Sequence, residues 1–193
     1  GDMFVYVEPN STATQTRDGK DAFEIKGKVN RTYQFRPQAT ATGTGFTNPG
    51  NAINTSTSDG ATQSFTAASN AQSADLKLEL PSIAGKITSA SLNYSAVIVV
   101  SNEIGDSEVI IYDRSFGADT TLISRTTNGT TTEASGTRNI LSDIQNNGNR
   151  LPDDYVLRFQ VSSTAGDGET GTTGVCTIKD VYLRFTVEED YTL

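Results

Sequence analysis

Val175-Cys176-Thr177-Ile178-Lys179-Asp180-Val181-Tyr182-Leu183-Arg184-Phe185-Thr186-Val187 decides the fold. Val175, Thr177, Lys179, Val181, Leu183, Phe185 and Val187 fall on one face of an extended chain, with Cys176, Ile178, Asp180, Tyr182, Arg184 and Thr186 on the other. A period of two over so long a run, with no Gly or Pro to interrupt it, is the signature of a strand with one side on a core. Upstream, Tyr155, Leu157, Phe159 and Val161 alternate with Val156, Arg158 and Gln160, and Leu76, Leu78 and Leu80 form a third apolar face that ends at Pro81. Ile87 to Val100 reads as one long strand or a bent pair, and its unbroken Ala96–Val100 run suits a sheet covered on both faces. Val109-Ile110-Ile111-Tyr112, Leu122-Ile123, Met3-Phe4-Val5-Tyr6-Val7 and Ala22–Val29 add shorter strands. One helix is predicted, a turn or two around Ile140, Leu141 and Ile144 with Gly148 just beyond. Short strands separated by turn residues predict an all-β chain, an antiparallel β-sandwich of jelly-roll type with at most one short helix.

The connections between these strands are polar. The chain of 193 residues holds 28 Thr, 18 Ser, 13 Asn and 17 Gly, and the segment 39–70 is nearly all of this kind. Phe46, Ala52, Ile53 and Phe65 are spaced through it as apolar anchors, so it reads as ordered and loop-rich. The organisation expected is an N-terminal arm or added edge strands over 1–37, the sandwich over 38–187 and a solvated acidic tail over 188–193. Read with Met3 as the initiator, behind Gly1 and Asp2 as cloning remnants, the chain is made without a secretory leader. Read with Met3 internal, a leader has been trimmed.

Composition excludes several functions. There is no His, so neither a His-based nucleophile system nor a zinc site on imidazole ligands can be built. The single Cys176 can form no internal disulfide, and with nothing basic beside it in sequence it reads as an inert buried thiol. A net charge of -8 argues against a surface that tracks nucleic-acid phosphates. No apolar run approaches the ~20 residues of a helical membrane span.

From about residue 38 to 187 the order of features resembles a β-sandwich module that recurs in bacteriophage structural proteins and secreted bacterial surface proteins. The stretches that carry the resemblance are Gly43-Thr44-Gly45-Phe46-Thr47-Asn48-Pro49, Asn51-Ala52, the Asp59-Gly60 turn, Leu76 to Pro81 and Ile87-Thr88-Ser89-Ala90-Ser91-Leu92. Ser142-Asp143-Ile144, Tyr155 to Val161 and Ile178 to Val187 complete it, and Phe46 stands where such modules usually carry Trp. The resemblance implies a non-catalytic module of a virion or a cell surface.

Several constellations bear on chemistry. Gly166-Asp167-Gly168-Glu169-Thr170-Gly171 matches G-x-G-x-x-G, but a dinucleotide site needs a helix to open next, and here Thr172-Thr173-Gly174 leads into a strand. It reads as a hairpin loop. Asp153/Asp154, Glu103/Asp106/Glu108 and Glu188/Glu189/Asp190 are the carboxylate groupings available to a glycoside hydrolase, and none alternates on a strand face in an aromatic run. No cofactor is expected; a structural calcium, held by Asp59 with nearby Asn and Thr oxygens or by Asp167 with Glu169, is the alternative, and solvated turns are the preferred reading of these acids. Sugar binding needs exposed rings rimmed by polar groups. The rings available are Tyr6, Tyr33, Phe46, Tyr112, Phe116, Tyr155 and Tyr182, most of which alternation places on core faces. Phe46 and Phe116, in Gly-flanked loops, with Asn48 beside the first, are the candidate ligand contacts, the alternative being that each ring plugs the open end of the sandwich.

These features predict a non-enzymatic attachment module, a phage tail or head-decoration component, with a secreted bacterial carbohydrate-binding module as the alternative and a hydrolase or lyase third. The expected partners are other virion or surface proteins, a cell-surface glycan and further copies of the chain, with no nucleic acid and no membrane span. The expected location is the virion or the extracellular cell surface.

Overall fold

The computed structural model describes residues 12–17, 21–41, 45–55, 59–132, 134–164 and 170–192. In chain order its elements are β1 (Thr12–Arg17), β2 (Asp21–Phe35), β3 (Gln38–Ala41), a 3-10 turn (Pro49–Ile53), β4 (Ala61–Ala67), β5 (Gln72–Glu79) and β6 (Lys86–Ser101). They continue with β7 (Glu108–Asp113), β8 (Thr120–Arg125), β9 (Gly129–Thr130), β10 (Ala134–Asn139), α1 (Leu141–Asn146), β11 (Asp154–Ser162) and β12 (Thr172–Thr192).

Two antiparallel sheets result. The first runs β1-β2-β12-β6-β10, with β4 also on β12 and β9 also on β6, and the second runs β3-β5-β11-β7-β8. Among the described strands, only the β1–β2, β7–β8 and β9–β10 connections stay within a sheet. All the others cross between sheets, which is the jelly-roll form of an antiparallel β-sandwich. No described helix is long and apolar enough to cross a membrane.

The core lies where the two inner faces meet. Leu76 and Leu78 from β5, with Leu157, Phe159 and Val161 from β11, oppose Leu92, Ile98, Ile178, Leu183 and Phe185 from β6 and β12, all essentially without exposure. Burying each such side chain contributes roughly 1.5–3 kcal/mol. Phe65 of β4 stacks on Phe159 of β11 with centroids 5.9 Å apart, tying the sheets together. Tyr94 crosses the same gap, and its hydroxyl donates to the Leu122 carbonyl at 3.0 Å. Gly136 makes room for it, because a Cβ there would lie 2.3 Å from the Tyr94 ring. α1 forms where the helical spacing predicts it, with Ile140 and Ile144 buried and Gly148 in the left-handed region just past its end.

The closing strand departs from unbroken alternation. Between Lys179 and Tyr182 its register against β6 shifts by one residue, and Asp180 occupies the left-handed region at φ 50. Before this bulge Cys176 and Ile178 face inward, and after it Val181, Leu183, Phe185 and Val187 do. A bulge inserts one residue and so swaps the faces, which a period-two reading cannot anticipate. The partner of β12 changes at the same place, from β4 before it to β2 after it. Arg36 holds the bulge: its Nη2 lies 2.7 Å from Asp180 Oδ1, its Nη1 donates to the Ile53 carbonyl at 2.9 Å, and the guanidinium sits 5.0 Å from the Tyr182 ring centre.

Two further expectations are corrected, and a third falls largely outside the described residues. Glu188, Glu189 and Asp190 are no solvated tail but continue β12, paired with Asn30, Val29 and Lys28 of β2. The hairpin loop expected over 166–171 lies, up to residue 169, outside the described residues, and the strands on either side of it, β11 and β12, belong to different sheets. At its end Gly171 has φ +83, and a Cβ there would lie 2.4 Å from the Ala67 carbonyl oxygen. Within the Ala96–Val100 run of β6 only Ala96, Ile98 and Val100 are buried, whereas Val97 and Val99 are half-exposed on the outer face, which no further layer covers among the described residues.

Candidate functional site

The first sheet is wider than the second, so part of its inner face is left uncovered. Directly opposed residues of an antiparallel pair share a face. Tyr33 of β2 is opposite the inward-facing Phe185, and Phe35 is opposite Leu183. Tyr33 is 43% exposed, which makes it the one exposed large hydrophobic among the described residues. The connection between β5 and β6 walls the space beside it. Tyr33, Phe35, Phe185, Pro81, Ile83 and Glu189 line a groove of about 330 Å³.

The groove is apolar below and polar at its rim. Tyr33 donates its hydroxyl hydrogen to Glu189 Oε1 at 2.7 Å, and Arg31 Nε lies 3.4 Å from Glu189 Oε2. These three side chains form a row on one face of β2 and β12 that fixes the ring. The bond to Glu189, with burial and the carboxylate charge adding to it, holds the Tyr33 phenol above its ordinary range, so the ring is neutral at physiological pH.

A second depression of about 490 Å³ adjoins the first. It is lined by Leu80, Ile87 and the segment Asn149–Asp153, which follows α1, and it shares the Pro81-Ser82-Ile83 wall with the groove. Asn147 Nδ2 donates to the Arg150 carbonyl at 3.0 Å and shapes this segment, in which Asn149 has φ 58.

The residues expected to contact ligand lie elsewhere. Phe46 is 4% exposed and belongs to the core, so its ring offers no face to solvent. A bridge between Thr47 and Thr62, with N···O distances of 2.8 and 3.1 Å, pins its loop to β4 and turns the ring inward. Asn48 is exposed in the left-handed region at φ 51, heading the 3-10 turn. Phe116 is half-buried and packs edge-on against Tyr155 with centroids 5.9 Å apart. No ring contact joins Phe46 to Phe116 among the described residues. Asp59 is exposed at the entry to β4, whereas Asp167 and Glu169 lie outside the described residues. Among the described residues no group of three or more acidic or thiol side chains converges on a metal position.

A buried polar cluster sits between the sheets near α1. Asp113 at the end of β7 accepts hydrogen bonds from the Tyr155 hydroxyl and from Arg138 Nη1, and its other oxygen accepts from Ser115 Oγ at 2.7 Å. Arg138 also reaches Asp143 at 2.7 Å and Thr120 at 3.1 Å. Burial, together with the Asp113 charge, pushes the Tyr155 phenol far above its usual range. Both carboxylates are committed to Arg138, and Asp113 is 1% exposed, so this arrangement joins β7, β10, β11 and α1 rather than meeting a substrate. Burial likewise pushes the Cys176 thiol well up, which keeps it protonated.

Sequence reasoning counted Tyr33 among the available rings without singling it out. Its exposure depends on how far the second sheet extends, and no local pattern in β2 encodes that.

No family model matches the sequence. A search of the curated proteins finds no match. A solved structure described as "CBM4 structure and function" aligns at a TM-score of 0.29 and 14% identity, over 67% of this chain and 85% of that one. A likeness of that degree carries no argument about what this chain binds.

Proposed function

We propose that the chain is a non-catalytic glycan-binding module that holds a sugar in the Tyr33 groove. The observation that carries this reading is an exposed tyrosine on an otherwise uncovered sheet face, above Phe35 and Phe185 and beside a carboxylate. A pyranose ring has one face of C–H groups and a rim of hydroxyls, so it stacks on an aromatic ring while its hydroxyls seek polar partners. Tyr33 supplies the platform, and Glu189 and Ser82 supply polar groups at the edge. The hydrogen bond to Glu189 holds the ring in place before a ligand arrives, which reduces the ordering cost of binding.

The attachment role expected from the sequence is compatible with this fold, but no feature of the molecule favours a virion partner over a glycan. The groove moves the preference to the carbohydrate-binding alternative.

The test is retention on a glycan array and on polysaccharide affinity gels, comparing the parent chain with Tyr33→Ala and Tyr33→Phe. Retention by the parent, loss of about tenfold or more in affinity for Tyr33→Ala and a value within a few-fold of the parent for Tyr33→Phe are expected. A parent chain that retains no glycan, or a Tyr33→Ala variant that binds as well as the parent, overturns the reading.

A further inference from the structure

We propose, resting on the reading of the Tyr33 groove as a sugar site, that the groove and the adjoining depression form one cleft for a neutral oligosaccharide chain crossing the Pro81-Ser82-Ile83 wall. The two spaces share those three residues, so a ligand leaving the aromatic groove over this wall enters the second depression directly. Each space, of about 330 and 490 Å³, falls in the range of a small-ligand site by itself, so the two in series offer room for more than one sugar unit.

The two halves differ in chemistry. The first offers rings for stacking. The second offers Asn149, Arg150 and Asp153 beside Ser82, a set of donors and acceptors suited to hydroxyls that both give and take hydrogen bonds. Among the described residues neither Arg150 nor Asp153 forms a salt bridge and both are exposed, so their side chains are open to a ligand.

Charge selects the neutral class. Arg150 and Asp153 balance each other in the second half, and in the first half Arg31 offsets Glu189. The chain as a whole carries a net charge of -8, which repels polyanions. An acidic or sulfated chain would meet one carboxylate in each half with no excess of cations to receive it.

The experiment is calorimetric titration of the full chain with oligosaccharides of two, four and six units, in a neutral glucan, a neutral mannan, a galacturonate and a sulfated galactan series. Tighter binding of a neutral series is expected, with affinity rising about tenfold or more from two units to six. The Arg150→Ala/Asp153→Ala double variant is expected to lower the six-unit affinity to that of the two-unit probe, with circular dichroism confirming the fold. A six-unit probe that binds no tighter than the two-unit probe overturns the proposal, as does a length gain that survives the double variant or a preference for the galacturonate or sulfated series. Dependence on Tyr33 without any gain in length leaves the groove as a single-unit site and overturns the cleft alone. Indifference to Tyr33→Ala, or no binding by any series, overturns the glycan reading and the cleft with it.

Discussion

Tyr155 is the residue whose chemistry most constrains the core. Its ring is fully buried, and its hydroxyl is satisfied by a carboxylate that Arg138 and Ser115 also hold. Replacing it with Phe removes one charge-assisted donor from Asp113 and leaves those of Arg138 and of the Ser115 hydroxyl and backbone N–H, at a cost of about 1–3 kcal/mol measured by urea unfolding at neutral pH. The pH dependence has a definite sign. The folded-state phenol titrates far above the ordinary tyrosine value of about 10, so the native state binds more protons than the unfolded state once the pH exceeds that value. Stability from this group is therefore fully present below about pH 10 and is lost as the pH rises above it. The Tyr155→Phe variant should show a shallower alkaline decline. The residual slope comes from the other groups raised in the folded state, Tyr33, Tyr94, Tyr112, Cys176 and Lys28. An alkaline slope unchanged from the parent would contradict the assignment. Alternation in β11 already placed Tyr155 inward, which implied a polar partner for its hydroxyl. That the partner is Asp113 was not legible, because it comes from another strand and is charged where a local pattern reads only exposure.

At the scale of an element, the bulge in β12 connects sequence to site. Without the extra residue at Asp180, the inward face of the second half of β12 would carry Tyr182, Arg184, Thr186 and Glu188 instead of Val181, Leu183, Phe185 and Val187. Phe185 and Glu189 would then leave the groove. A left-handed residue is tolerated by Asn and Asp but strained for a β-branched side chain, at about 1–3 kcal/mol. Asp180→Val should therefore lower the melting temperature clearly and weaken glycan retention with it. Asp180→Asn keeps the backbone preference and loses only the partly exposed ion pair with Arg36, so it should cost less than about 1 kcal/mol. Equal stability of the Val and Asn variants would show that the bulge is not set by residue 180. This is where the reading of strands was most and least complete. The strand itself, the burial of Leu183, Phe185 and Val187 and the two-sheet architecture were legible in the period of two. The bulge was not, since one acidic residue in an alternating run looks like any other outward position until the partner strands on either side are known.

At the scale of the whole molecule, the groove is built from the two ends of the described chain. β2 comes near its start and the last third of β12 at its close, and each lacks a full set of neighbours without the other. Glu188 to Thr192 pair with Asn30 to Lys26, so the residues expected to be a solvated acidic tail supply half of the pairing between β2 and β12. A chain ending at Val187 removes those ladder bonds and the carboxylate that fixes Tyr33. In hydrogen exchange, the amides of residues 26–31 should lose protection in this truncated chain, while those of β5, β7 and β11 keep theirs, because the second sheet and its core contacts are untouched. Glycan affinity should fall several-fold. Glu189→Ala separates the two contributions, since it keeps the backbone pairing and removes only the side chain that orients the ring. If the loss of affinity follows the substitution, preorganisation of Tyr33 is responsible. If it appears only in the truncated chain, anchoring of the strand is responsible. Undiminished protection of residues 26–31 after truncation would show that β1 and the remaining pairing of Leu183–Val187 with Phe35–Arg31 hold β2 in place, and the groove's backbone would then owe nothing to the chain beyond Val187.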